Sequence, residues 1–410
     1  MLSILKKPTF LLFFIGNTVS LIGFGFNLIG FSWLVLEETG SEILLGQIMA
    51  AATLPGLLIS LFTGVIIDKM NRKWLLVILN VFRMIIIGSF VFVLIKNEFS
   101  LTSLFCTVFL MGIGSSLFWP TATAFVQELV SDDEYFNANA LLSASYQVGS
   151  ILGAGIGGLV VHYHGVSTAF FVSAIAYFIS ALFIVSAPFL YTKKYGKSEK
   201  ILQAVFRGFL FLKEEKGLLV FGLTSILADV AIWGSLSILT ISISKIIYNA
   251  GSWGYGLMDG FYGVGALLST IVSGYFITRT KKQNYLLICF FTAGVMCLCV
   301  PVLPSLWLAS IAYLIMGLTN NSARIVSRTV FMEMVSNKIM GRVQTILGMY
   351  TRVMVIFSSL IAGYMIEKFS IMSGMIFSMV HFFAAAMGII IIIGSHEFRK
   401  VLLPQEIRIK

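Results

Sequence analysis

Charge is scarce in this sequence: 11% of its 410 residues are Asp, Glu, Lys or Arg, while 58% are hydrophobic. A soluble domain of that length carries about a quarter of its residues charged, so the composition excludes one. The polar intervals between apolar runs are too short for a separate soluble domain, and no cluster of His, Asp or Ser marks a membrane-embedded enzyme. Cysteine is limited to Cys106, Cys289, Cys297 and Cys299, all inside apolar runs, so neither a disulfide framework nor a thiolate metal site is indicated. Histidine is as rare. His162 and His164 flank Tyr163 without a neighbouring carboxylate, and His381 stands alone in an apolar run, so no metal is expected. No glycine loop followed by Lys and Ser or Thr cradles a nucleotide, which leaves no ATPase and no cofactor to expect.

What is abundant is apolar length. Runs of roughly 20 residues or more, each able to cross a hydrocarbon core of about 30 Å, recur from end to end. The first begins at Pro8, behind Lys6 and Lys7, and continues past Trp33 with no small-residue cleavage site, which reads as a retained helix. Pro, Gly and charge divide the chain into twelve expected helices: 9–36, 42–67, 74–95, 99–127, 138–161, 166–189, 217–246, 252–278, 284–303, 305–331, 341–366 and 371–394. Lys and Arg gather in alternate connections, at Lys69, Arg72 and Lys73, at Lys193 to Lys200, at Arg279 to Lys282 and in the tail. The other connections hold only Lys96, Lys245 and Lys368. Positive connections stay inside, so both termini are expected in the cytoplasm, in a bacterial inner or plasma membrane. The same clustering explains the net charge of +10 without a basic face for nucleic acid.

The longest polar interval, 190–216, lies at the midpoint. Its second part alternates Ile201, Leu202, Val205, Phe206, Phe209, Leu210 and Leu212 against Gln203, Arg207 and Lys213, as an amphipathic helix on the inner leaflet would. It divides the chain into 1–189, a linker 190–216, 217–396 and a tail 397–410. A shift of 205 residues lays "ELVSDDEYFNANALL" from Glu128 over "EMVSNKIMGRVQTIL" from Glu333, and Gly158 over Gly363. Such a shift, half the chain length, is what parallel repeats in a secondary transporter produce.

Two motifs carry chemistry. In "GVIIDKMNRK", Gly64 permits close helix approach, Asp68 can accept hydrogen bonds from a neighbouring helix end, and Lys69, Arg72 and Lys73 hold the loop at the inner interface. In "GSILGAGIGG", Gly149, Gly153 and Gly157 recur every four residues, and with Gly158 bare enough backbone for tight helix packing. The first motif resembles the signature of the major facilitator superfamily; its second-half counterpart "GYFITRTKK" has Thr278 in place of the acid. The glycine run resembles the antiporter motif of exporters, with Ala154 where that motif has proline. "FWPTATAFVQELVSDDEYFNANAL" and "NKIMGRVQ" resemble the drug:proton antiporter branch that includes macrolide efflux and siderophore export proteins. The resemblance implies an all-α fold of two six-helix bundles related by a pseudo-two-fold axis, with helices one, four, seven and ten lining a central cavity, and a monomer.

Charges inside the bilayer cost at least about 2.5–3.5 kcal/mol each, so those that remain are candidates for function. Asp229 falls in helix seven, Asp259 in helix eight, Arg83 in helix three, Arg324 and Arg328 in helix ten and Arg352 in helix eleven. Asp229 is the proton-coupling candidate. Arg324, Arg352, Trp119, Asn17 and Asn27 are the substrate-binding candidates, alongside Ser20; a static Asp229–Arg324 pair that fixes two helices is the plainer alternative. Arg83 and Arg328 read as braces, reaching headgroups or a loop carboxylate such as Asp68 or Glu128. Trp33 and Trp253 read as interface anchors.

The function expected is secondary active transport: a proton returning inward drives a small organic solute outward by alternating access. Four intramembrane arginines against two aspartates point to a siderophore-like or other anionic metabolite. The alternatives are efflux of cationic amphiphilic drugs, a proton-coupled uptake symporter, and a receptor or scaffold of transporter form.

Overall fold

The structure is a computed structural model that describes residues 4–96, 98–131, 134–189 and 201–393. The side chains of Asp68, Thr278 and Lys338, the basic residues 193–200 and the tail 397–410 lie outside the described residues. All regular structure among the described residues is helical. Ten helices there are long and apolar enough to cross a membrane.

The first half opens with α1 (Pro8–Thr39), started by Pro8 and stopped at Gly40 in the left-handed conformation, φ 64°. It continues with α2 (Glu42–Lys69), α3 (Arg72–Ile95), α4 (Leu101–Leu129) and α5 (Tyr135–Ser186). Asn71 caps α3 by accepting from the Trp74 amide, and Ser100 and Ser103 form a capping box on α4.

The two helices expected at 138–161 and 166–189 are one assigned helix, α5, interrupted at Gly165 with φ 80° and ψ 169°, a backbone shape open to glycine alone. Its contacts with α1 show what the interruption does. Gly149, Gly153 and Gly157 meet Leu21, Gly25 and Ile29 in ascending order, whereas Phe170, Ala176 and Ile184 meet Gly30, Gly23 and Gly16 in descending order. One arm of α5 is parallel to α1 and the other antiparallel, so α5 is a helical hairpin.

The second half begins with α6 (Ile201–Glu214), the expected amphipathic helix. Gly208 lies against Arg342 and Ile346, Leu212 is buried, and Phe206 and Phe209 are exposed. The helix expected at 217–246 is not uniform. It runs as α7 (Lys216–Ser225), α8 (Leu227–Val230), a π turn (Ala231–Ser235), α9 (Leu236–Ser242) and a second π turn (Ile243–Ile247). Then follow α10 (Gly251–Arg279), α11 (Lys282–Cys299), α12 (Leu306–Met334), α13 (Asn337–Lys368) and α14 (Ile371–Ile393). Here too one arm is parallel and the next antiparallel: Gly222 and Gly234 meet Leu347 and Ser358 of α13, while Gly374 and Gly388 of α14 meet Leu239 and Thr224.

By contact the chain forms two compact units. One comprises residues 1–40, 51–198 and 251–260, and the other residues 41–50, 199–250 and 261–410. In the first, a core of Phe10, Phe13, Leu76, Phe118, Phe125 and Ile184 joins α1, α3, α4 and α5. In the second, the first turns of α2 lie against α13, with Gly363 on the Glu42 backbone and Gly46 on that of Ser359.

Candidate functional site

The second unit holds the pair the charge pattern singled out. Asp229 sits on the single turn of α8, immediately before the first π turn, and Arg324 reaches it from α12. Both guanidinium bonds, Nε at 3.0 Å and Nη2 at 2.7 Å, go to the same oxygen, Asp229 Oδ1. Asn320 Nδ2 donates to that oxygen at 3.5 Å and to the Tyr262 hydroxyl at 3.0 Å. Oδ2 accepts nothing among the described residues. The side chains are about a quarter exposed, 28% for Asp229 and 25% for Arg324, so this is a pair at the edge of the packed interior. Oδ1 holds the arginine, and Oδ2 has no partner among the described residues.

The π turn beside Asp229 has a packing cause. Gly234 brings the backbone against Ser358, and Ser235 accepts from the Ser378 hydroxyl at 2.6 Å. A helix opened at such a turn repacks more easily than a regular one, and π turns cluster at functional positions.

Arg328 and Arg352, both within apolar spans of this unit, have no carboxylate partner among the described residues. Arg352 donates only to the Gly348 carbonyl, at 3.3 Å, and Arg328 is exposed with no hydrogen-bond partner among the described residues. Arg352 falls on α13 between the residues that meet Gly222 and Gly234, which sets it at the level of Asp229. Arg328 is one turn beyond Arg324 on α12.

In the first unit, Trp119 of α4 packs edge-on to Phe24 and Tyr146, with ring centroids 6.5 and 5.1 Å away. Asn17 is fully buried with neither amide atom partnered among the described residues, and Asn27 donates to the Tyr177 hydroxyl at 2.9 Å while its Oδ1 has no partner among them. Ser20 belongs to a cage around Arg83.

Arg83 differs most from its expected role. It is 1% exposed and braces no carboxylate. Its guanidinium donates to Asn80 Oδ1 at 2.6 Å, Ser20 Oγ at 3.0 Å and the Leu79 carbonyl at 3.4 Å. It also lies between the rings of Phe118 and Tyr177, at 4.1 and 4.4 Å. Its charge is held by ring faces and neutral oxygens because Gly114 clears room for its stem. The brace expected of it belongs to Arg72, which pairs with Glu128 at 3.2 Å and donates to the Ala124 carbonyl.

Of the loop motif, Lys73 donates to the Ala187 carbonyl at 2.7 Å and Lys69 is exposed. Among the described residues, none lies within 4 Å of where a Gly64 Cβ would stand. The glycine run packs on two sides: Gly149, Gly153 and Gly157 receive α1, and Gly158 receives Ser252 and Gly256 of α10.

Sequence reasoning missed Asn320 and Tyr262. The only signal was the polar run Thr319 to Ser322 one turn before Arg324, after an apolar first half of the helix.

Comparison with known proteins accords with this architecture. Residues 1–399 match the family described as transmembrane secretion effector. The staphyloferrin A transporter of Staphylococcus aureus is 24% identical over 88% of this chain and 90% of its own length. The MFS-type transporter YkuC of Bacillus subtilis is 22% identical over 88% and 86%. The multidrug efflux pump Tap of Mycolicibacterium fortuitum is 25% identical over 44% and 45%. Among solved structures, the D323A mutant of the nucleoside transporter NupG superposes with a TM-score of 0.78 at 14% identity, covering 94% of this chain and 99% of that one. A bacterial homologue of the lysosomal transporter Spinster gives 0.77 at 13% identity, covering 97% and 98%. At such identities the structures speak for the fold, and the match along the chain for the family: this is a multi-pass membrane transporter, not an enzyme, and it belongs to the transmembrane secretion effector family of the major facilitator superfamily.

Proposed function

We propose that the chain is a proton-coupled exporter of a small organic solute bearing an acidic group, working by alternating access in a cell membrane with both termini cytoplasmic. The observation that carries this reading is the one-sided Asp229–Arg324 pair, in which Oδ1 holds the guanidinium and Oδ2 has no partner among the described residues. Arg328 and Arg352 add guanidiniums for the acidic group.

Linkage restricts the solute further. Proton-driven export requires proton and solute to weaken each other's binding. A simple anion does the reverse, because drawing Arg324 away from Asp229 leaves a carboxylate that holds a proton better. Mutual exclusion follows when the solute also places an ammonium or hydroxyl donor on ionised Asp229 while its acidic group takes the arginines. The export reading therefore implies a solute with both kinds of group; an anion lacking a donor would be carried inward with its proton.

The test uses vesicles containing the purified protein, with candidate solutes taken from a comparison of secreted and intracellular metabolites with and without it. An imposed proton gradient should drive solute against proton flow, and Asp229→Asn should reduce that flux at least tenfold. Normal gradient-driven transport by the variant defeats the proton-coupling role; solute and proton moving together defeats export.

A second reading, efflux of cationic amphiphilic drugs, is favoured by the aromatic group of Trp119, Phe24 and Tyr146 and by the similarity to the pump Tap. A drug-susceptibility panel separates it from metabolite export.

The architecture proposed is twelve crossings in two repeated six-helix bundles, 1–189 and 217–396, joined by 190–216. Equivalent contacts support the duplication. Glu128 pairs with Arg72 at the start of α3, and Glu333, 205 residues on, pairs with Lys282 at the start of α11. Gly158 meets the first turns of α10, and Gly363 the first turn of α2.

A further inference from the structure

Among the other charged side chains of these spans, Arg83 has its cage, Asp229 and Arg324 have each other, Arg352 has a carbonyl, and Arg328 is exposed. Asp259 has neither hydrogen bond nor ion pair among the described residues, although it stands on the ninth residue of α10, inside a membrane-spanning helix. An unpaired carboxylate at such a position is costly to keep and is not needed for packing.

Its surroundings are specific. On α10, Gly256 lies against the Ala154 and Gly155 carbonyls of α5, and Gly260 meets the Gly155 Cα at 4.0 Å. Asp259 is three residues after Gly256 and one before Gly260, at the border of that face. Where Gly256 meets it, the seam presents the Ala154 and Gly155 carbonyl oxygens and, among the described residues of α5, no cationic side chain. No Asp, Glu, Lys or Arg occurs anywhere on α5. The titratable groups of α5 are Tyr135 at its first residue, Tyr146, held by Trp119, the hydroxyls of Tyr163 and Tyr177, and the imidazoles of His162 and His164; His162 lies against Gly251 at the start of α10. On α10 itself, Tyr255 is buried one turn before Asp259, Tyr262 is taken by Asn320, and Arg279, stacked on Tyr275, is 20 residues away, about 30 Å along the helix. Against the later turns of α10 pack α12, with Tyr313 bonded to Thr240, Arg324 bonded to Asp229, Arg328, and Glu333 paired with Lys282, and α11, whose Tyr285 stacks on Phe276.

We propose that Asp259 is a second proton-carrying carboxylate of this transporter, bound and released at the glycine seam between α5 and α10. Its partner is the proton, because the seam supplies carbonyl acceptors for a carboxylic O–H and no cation for a carboxylate. The protonated acid donates to a backbone carbonyl of α5 and holds the seam; loss of the proton to water leaves a carboxylate facing carbonyl oxygens and loosens it. The proposal rests on the reading of the chain as proton-coupled, but it concerns a different group from Asp229.

The experiment is infrared difference spectroscopy of the full chain in lipid vesicles, titrated between pH 5 and 9 with the proton as the only ligand. The wild type should show a carboxylic C=O band that titrates and shifts in D2O. Asp259→Asn should lose it, Asp259→Glu should restore it at a shifted frequency, and Asp229→Asn should retain it. Persistence of every titrating band in Asp259→Asn overturns the proposal, and so does its loss on adding sodium at constant pH, which would make the site a metal-cation site. Folding is controlled by Asp259→Glu, which keeps the acid. Since no solute is needed, failure of the Asp229 coupling role leaves the outcome at Asp259 unaffected.

Discussion

Arg83 illustrates how one residue holds a bundle together without an opposite charge. Two ring faces and three neutral oxygens surround it, and Asn80 passes the bond on to Ser180 of α5 at 2.9 Å. Lysine would keep the charge but lose the flat stacking surface and the forked donors. Arg83→Lys should therefore destabilise the first unit by about 2 kcal/mol, the scale of a desolvated cation–π contact with one charged hydrogen bond. Thermal unfolding in detergent measures this, and transport per folded molecule should be unchanged. Asp229 and Arg324 were legible as individuals because charge is rare in an apolar chain. Asn320 and Tyr262 were not, since neutral polar side chains occur throughout the helices and only the fold decides which of them meet.

Among elements, the α1–α5 contact depends on absent side chains. A Cβ on Gly153 would come within 2.8 Å of the Gly25 Cα and 3.0 Å of the Ile22 carbonyl, backbone on both counts. Nothing flexible can give way, so Gly153→Val should cost about 1–3 kcal/mol by overpacking and reduce the folded yield seen by size exclusion. Gly64→Val, with open space around it, should not. The start of α1 is also tied to α5 by Lys7 and Glu134. The Lys7 ammonium, followed by the Ser131 amide, holds the Glu134 carboxyl below its ordinary value of 4.5. A depressed folded-state pKa adds stability that is present above the ordinary value and lost as pH falls through the lower one. Hydrogen exchange at residues 8–12 should be flat from pH 6 to 8, after correction for intrinsic rates, and accelerate only in acid; Glu134→Gln should accelerate it throughout. Helix extents could be read from apolar length, but the π turns could not, because they arise where Gly234 and Ser358 happen to pack.

At the scale of the whole molecule, the alternation of basic connections gives a direct topological expectation. With Cys106 replaced, a cysteine at Lys69 should react with a membrane-impermeant thiol reagent only from inside, and one at Glu38 only from outside; both positions are exposed. The opposite pattern would invert the orientation and, with it, the direction of transport. The class of protein was plain from composition, and the family from short motifs spread along the chain. The substrate was not, because specificity depends on a few side chains whose meeting the sequence does not record.

The α5 hairpin has one more implication. Its 52 residues contain no Asp, Glu, Lys or Arg, and it turns on Gly165 alone. During synthesis such a pair carries no orientation signal of its own, because the rule that places helices reads positive charge in flanking segments. Its direction must be borrowed, and the nearest cluster is Lys193, Lys194, Lys197 and Lys200, which follows it directly. Those lysines thus serve biogenesis before they serve any transport step, by anchoring the exit of a hairpin that would otherwise enter the bilayer equally well either way up.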